Sequence, residues 1–187
     1  MSKRDRKWKR RTLGLPADHG WVARPGCKVL VIERGAVRLD YPQEWVARPD
    51  DDSMKLHDKP PPDDECRLAV SFIRIPLIDW SGLPISKLVD AAGEADTRGV
   101  HTRSEIVDER HGLIELAWRE VRFDVESEKR EACSLLCLAR KGSVQALITF
   151  DFWTEQRDRC LRIWRTVLNS LELDVRYDSP FTGRPVR

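Results

Sequence analysis

Between Gly35 and Trp45 the chain reads Gly-Ala-Val-Arg-Leu-Asp-Tyr-Pro-Gln-Glu-Trp, a strand running into a proline-fixed turn that a tryptophan closes. Pro42 has no N–H to give a ladder, so a strand over Ala36 to Tyr41 must stop there. Upstream, Lys28 to Ile32 reads as the antiparallel partner, joined to it across Glu33-Arg34-Gly35. A hairpin ended in this way belongs in a small α+β domain.

The rest of the chain supplies the elements such a domain needs. A short strand is expected at Met54 to His57, between acidic, Pro-rich loops at Pro49 to Asp52 and Lys59 to Glu65. Arg67 to Ile75 reads as a strand buried on both faces, with Leu68, Val70 and Phe72 opposite Ala69, Ile73 and Ile75. Ile85, Leu88, Val89 and Ala92 then fall at helical spacing, with Ser81 as the expected cap, Pro84 in the first turn and Gly93 at the end. Glu105 to Glu109 turns through Arg110-His111-Gly112 into a long strand. The apolar parity of that strand changes from Ile114, Leu116 and Trp118 to Val121, Phe123 and Val125, which predicts a bulge near Arg119-Glu120.

Ala132 to Ala139 and Ser143 to Trp153 are expected to pair across Arg140-Lys141-Gly142, with Val144, Ala146, Ile148, Phe150 and Phe152 on one face. The clearest helix is predicted over Glu155 to Leu171. Cys160, Trp164, Val167, Leu168 and Leu171 form its apolar stripe, and Thr154 is its expected N-cap. Trp21-Val22-Ala23-Arg24-Pro25 recurs as Trp45-Val46-Ala47-Arg48-Pro49, each copy expected to pack a tryptophan and stop at a proline turn.

The 187 residues, 41% hydrophobic with seven tryptophans, suit one core with extensions. The organisation expected is a basic arm over 1–20, a single α+β domain over 21–176 and a tail over 177–187. In the first eleven residues seven cations face one carboxylate, Asp5, whereas the whole chain nets only +2, so the body is mildly acidic. Within the arm, Lys7, Trp8, Lys9, Arg10 and Arg11 combine cations with an aromatic ring, a composition that can neutralise phosphates and stack on a base. No apolar run approaches the roughly 18 residues that cross a bilayer, and none follows the basic start as a signal peptide requires. The expectation is a cytoplasmic protein without membrane insertion. Five cysteines, an odd number set mostly among apolar neighbours, agree with a reducing compartment.

Chemistry is weakly signalled. Cys133 and Cys137 lie four positions apart on an expected strand, about 13 Å, too far for a disulfide, whose Cα atoms lie within about 7 Å. His57-Asp58 and Glu65-Cys66 match no closed four-ligand zinc spacing, and Asp50-Asp51-Asp52 lacks the glycine and glutamate of a calcium loop. Cys66 with His57 is the nearest approach to a nucleophile and base. There is no G-x-S-x-G, no phosphate-cradling glycine loop and no dinucleotide fingerprint. Neither catalysis, nor a metal, nor a cofactor is expected. Trp80, in Asp79-Trp80-Ser81-Gly82, is a loop tryptophan suited to a protein contact.

The order of these elements resembles the PsbP/DcrB-like superfamily. The resemblance is carried by Ala36 to Trp45, by Arg67-Leu68-Ala69-Val70-Ser71, by Gln145-Ala146-Leu147-Ile148-Thr149-Phe150 and by Val167-Leu168-Asn169-Ser170-Leu171, over about residues 28–175. It implies a three-layer α/β/α sandwich around a mainly antiparallel sheet. Members include an extrinsic subunit of the oxygen-evolving complex, a Ran-binding release factor and chaperones for type VI secretion effectors, which share binding of a protein partner. The resulting expectation is a non-enzymatic protein-binding domain, adaptor or chaperone-like. The alternative is a nucleic-acid-associated protein acting through the arm. The oligomeric state is left open.

Overall fold

Val144, Ala146, Ile148, Phe150 and Phe152 are all buried, and the residues between them are half-exposed. In the computed structural model, which describes residues 18–179 and 181–186, this strand sits in the middle of a large sheet. The chain forms β1 (Cys27–Ile32), β2 (Val37–Pro42), β3 (Val46–Pro49), β4 (Met54–His57) and β5 (Cys66–Arg74) before α1 (Ile85–Glu94). Then come β6 (Val100–Arg103), β7 (Val107–His111), β8 (Ile114–Val125), β9 (Arg130–Lys141) and β10 (Val144–Trp153). It closes with α2 (Arg157–Asn169) and β11 (Glu172–Leu173).

The large sheet runs β3-β4-β5-β10-β9-β8-β6, with β7 also on the edge of β8; β1, β2 and β11 make a second, three-stranded sheet. Every pairing is antiparallel. The α+β class and the mainly antiparallel sheet are therefore those the sequence implies. α1 covers one face, where Ile85 and Val89 pack on Ala117 and Leu138. On the other face α2 and the small sheet enclose the main core. Phe150 is its centre, with the ring centroids of Phe152, Trp45 and Trp164 at 5.1, 5.7 and 6.4 Å.

Several local expectations are corrected. β8 has no bulge near Arg119-Glu120: its register with β9 is unbroken from Glu115↔Arg140 to Val125↔Arg130. Because the strand stays regular, its apolar side chains change faces. Leu116 and Trp118 join the main core, whereas Val121 and Phe123 are buried on the side of α1. The irregularity lies on the partner strand, between Val100 and Thr102. The place vacated on the core face goes to Glu120, 6% exposed, which Arg157 and Arg122 hold at 2.8 and 2.9 Å.

Neither helix uses its expected cap. The Ser81 hydroxyl donates to Asp79, and Pro84 occupies the N-cap position of α1 without a side-chain hydrogen bond. Thr154 opens a 3-10 turn that precedes α2, and its hydroxyl donates to Glu131 at 2.7 Å. Gly93 lies within α1 rather than ending it, and an added Cβ there would come within 3.2 Å of the Arg119 side chain. The two Trp-Val-Ala-Arg-Pro copies also differ. Trp45 is buried ahead of β3, whereas half-buried Trp21 rests on the Tyr177 ring at 4.6 Å. Thr182 and Arg184 return to the start of the described chain, with Gly20 N–H donating to the Thr182 carbonyl and Arg184 paired with Asp18 at 3.0 Å.

Candidate partner-binding surface

β5 leaves the sheet at Arg74, and the chain makes an extended loop over residues 75–84 before α1. Ile75 N–H still donates to Ser143 at 2.9 Å, so the loop starts beside the β9–β10 turn. Asp79 then fixes its shape. Its carboxylate accepts the Ser81 backbone N–H at 2.9 Å and the Ser81 hydroxyl at 3.1 Å, and these bonds hold it below the usual carboxylate range. Trp80 Nε1–H donates to the Pro76 carbonyl at 3.1 Å and Leu83 N–H to the Trp80 carbonyl at 2.9 Å. The loop is thus closed on itself by hydrogen bonds, and its aliphatic side chains are left outside.

Arg140 anchors the loop from below. It ends the buried run of β9 and is only 5% exposed. Its Nη2 donates to the Leu83 carbonyl at 3.3 Å and to Glu115 Oε2 at 3.1 Å, and the Trp80 ring centroid lies 5.5 Å from its guanidinium carbon. Arg110 takes the other Glu115 oxygen at 2.8 Å. Arg140, ahead of Arg110, keeps the Glu115 carboxyl ionised to lower pH than usual.

Around this anchor gather exposed aliphatic residues from two distant parts of the sequence. Leu77 and Ile78, from the loop, are 77% and 60% exposed, and Leu113, at the β7–β8 hairpin, is 79% exposed. They line an open groove of about 460 Å³ together with Trp80, Arg140 and Lys141. Isolated exposed aliphatics are ordinary, but three on one groove over a built polar floor make this groove the candidate interaction surface.

Trp80 is half-buried, with its ring on Arg140; the outward apolar surface belongs to its neighbours. Leu77, Ile78 and Leu113 carried no signal in the sequence, because only the fold brings residue 113 to the loop. Arg140 could have been noticed as a cation ending an apolar run from Ala132 to Ala139. Lys7, Trp8, Lys9, Arg10 and Arg11 lie outside the described residues.

His57 is buried and its Nδ1 pairs with Asp64 at 2.8 Å, while the Cys66 thiol lies against Cys160; contact with that thiol and then burial push it up. Cys133 and Cys137 are buried and free on one face of β9. Among the described residues no group of three or more His, Cys, Asp or Glu side chains is placed to hold a metal ion. A second concavity, of about 270 Å³, is lined by Arg67, Arg98, Phe123, Asp151 and Trp153. Its charges are satisfied internally: Arg98 pairs with Asp96 and Asp151, and Arg67 with Asp151, at 2.6–3.1 Å.

Two antiparallel sheets, with α1 on one face and α2 on the other, give the chain a PsbP/Mog1-like fold. Its fold is similar to that of cyanobacterial PsbP (CyanoP) from Synechocystis sp. PCC 6803, with a TM-score of 0.54 and 13% identity over 82% of this chain and 96% of that one. It is also similar to the Ran-binding protein Mog1p of Saccharomyces cerevisiae, with a TM-score of 0.53 and 9% identity over 79% and 95% of the two chains. More narrowly, the chain belongs to the Alr1449 family, which matches residues 28–176. It is 38% identical to the protein alr1449 of Nostoc sp. (strain PCC 7120), over 98% of this chain and 97% of the other.

Proposed function

We propose that this protein is a non-enzymatic protein-binding domain, adaptor or chaperone-like, and that it engages its partner through the Trp80 groove. The observation that carries this reading is the convergence of Leu77, Ile78 and Leu113, all more than half exposed, around Trp80 and Arg140. Interface cores favour such clusters, with aromatic and arginine anchors at the centre. Mog1p, of similar fold, is a Ran-binding protein, which supports a protein partner in kind. No helix among the described residues is long and apolar enough to cross a membrane, and the protein is proposed to act in the cytoplasm.

A second reading rests on the cation excess of residues 3–11: association with nucleic acid through an arm over 1–20. Capture from native lysate with the full chain and with residues 20–187, each with and without nuclease, separates the two. A partner kept by the truncation and indifferent to nuclease supports the folded domain as the protein-binding unit. Loss on either treatment transfers the function to the arm.

A further inference from the structure

Arg140 has one bond still to make. Its Nη2 serves both Leu83 and Glu115, but its Nη1 is buried and has no hydrogen-bond partner. An unmatched buried donor costs about 1–3 kcal/mol, more when charged. The Trp80 ring lies over the guanidinium, and a ring face is a weaker acceptor than an oxygen anion. The acidic groups beside it are already committed. Glu115 is shared between Arg110 and Arg140, and Asp79 is held by Ser81. Lys141 lines the same groove.

We propose that the groove takes an extended protein segment in which one Asp or Glu is flanked by aliphatic side chains. The carboxylate bonds Arg140 Nη1, and the aliphatic groups cover Leu77, Ile78 and Leu113. This rests on reading the groove as a protein-binding surface, and it names the chemistry of the occupant. A small free carboxylate would leave the three aliphatic residues in water, whereas a purely apolar segment would leave Nη1 unpaired. Entry of the carboxylate moves the Trp80 ring off the guanidinium, so indole emission reports binding.

The test is selection of displayed random heptapeptides on the full-length protein. An enriched sequence is then synthesised with its acidic residue and with the matching amide. The expected result is enrichment of Asp or Glu between aliphatic residues, a loss of roughly 10-fold or more in affinity for the amide, equal to about 1.4 kcal/mol, and an emission change absent from Trp80→Phe. Arg140→Lys, which cannot reproduce the fork geometry, removes the preference for acid over amide. Leu113→Asp, at an exposed turn, weakens both peptides without altering the fold. Enriched peptides without an acidic residue, or acid and amide binding equally, overturn the carboxylate anchor and leave the protein-binding reading standing. No enrichment overturns the peptide proposal, and the lysate capture described above still decides the broader reading independently.

Discussion

Ser170 and Asp40 lie 130 residues apart, yet the Asp40 backbone N–H donates to the Ser170 hydroxyl at 2.8 Å. The same hydroxyl donates to the Val167 carbonyl at 3.0 Å, and the Ser170 carbonyl accepts Arg38 Nη1 at 3.0 Å. Arg38 also pairs with Asp40 at 2.8 Å. One small residue therefore fastens the end of α2 to the middle of β2. Ser170→Ala strands the Asp40 N–H in a buried site, for about 1–3 kcal/mol. Thermal unfolding should show a Tm lowered by roughly 2–4 °C for each kcal/mol lost in a domain of this size.

Gly35 is the most demanding backbone position in the hairpin. Its φ is +106°, and an added Cβ would collide with the Val175 carbonyl and the Tyr177 ring. The Val175 N–H donates to the Gly35 carbonyl at 3.0 Å, so the two segments cannot simply part. Gly35→Ala is expected to cost about 3 kcal/mol, combining strain with a backbone clash. Urea titration checks this, with a lowered midpoint at unchanged slope.

Glu120 makes the fold acid-sensitive. Burial opposes its ionisation, but Arg157 and Arg122 outweigh that and hold its carboxyl below the usual glutamate value. Because the folded-state value is depressed, the stabilisation is complete above the unfolded value near 4.3 and is lost as pH falls through the folded one. Glu120→Gln should be less stable than the parent at neutral pH, and the gap should narrow below about pH 4. Chemical denaturation across pH measures it; a gap independent of pH would contradict the ionic role.

The thiols divide by burial. Cys66, Cys133, Cys137 and Cys160 are buried, whereas Cys27 is half-buried. Burial raises the pKa of Cys27, Cys133 and Cys137, and at Cys66 burial adds to the effect of the Cys160 contact. A colourless-to-yellow disulfide reagent should titrate one thiol slowly in the native protein, lose it in Cys27→Ser, and reach the others only on unfolding.

How much of this was legible depended on whether one face of an element is buried. β10 and α2 were readable, since Val144 to Phe152 and Cys160 to Leu168 keep strict periods of two and of three to four. β3 and β6 were not recognised. They are four residues each, mostly exposed on both faces, so no alternation marks them. In β8 both faces of the sheet are covered, by α2 and by α1, so the apolar side chains could change sides without a bulge. The caps of both helices were misplaced because Ser81 and Thr154 bond Asp79 and Glu131 instead of the helix N–H groups. The groove was half legible. Trp80 was visible as a loop tryptophan, but Leu113 reaches it only through the pairing of β7 with β8 and of β8 with β9.

The most direct test of the partner-binding surface is affinity capture with the Leu77→Asp/Leu113→Asp double variant beside the parent protein. Both residues are more than three-quarters exposed, so the unfolding free energy should hold within about 1 kcal/mol. The expected result is loss of the partner that the parent retains after nuclease treatment. Undiminished capture by a folded double variant would contradict the assignment of the binding surface to this groove.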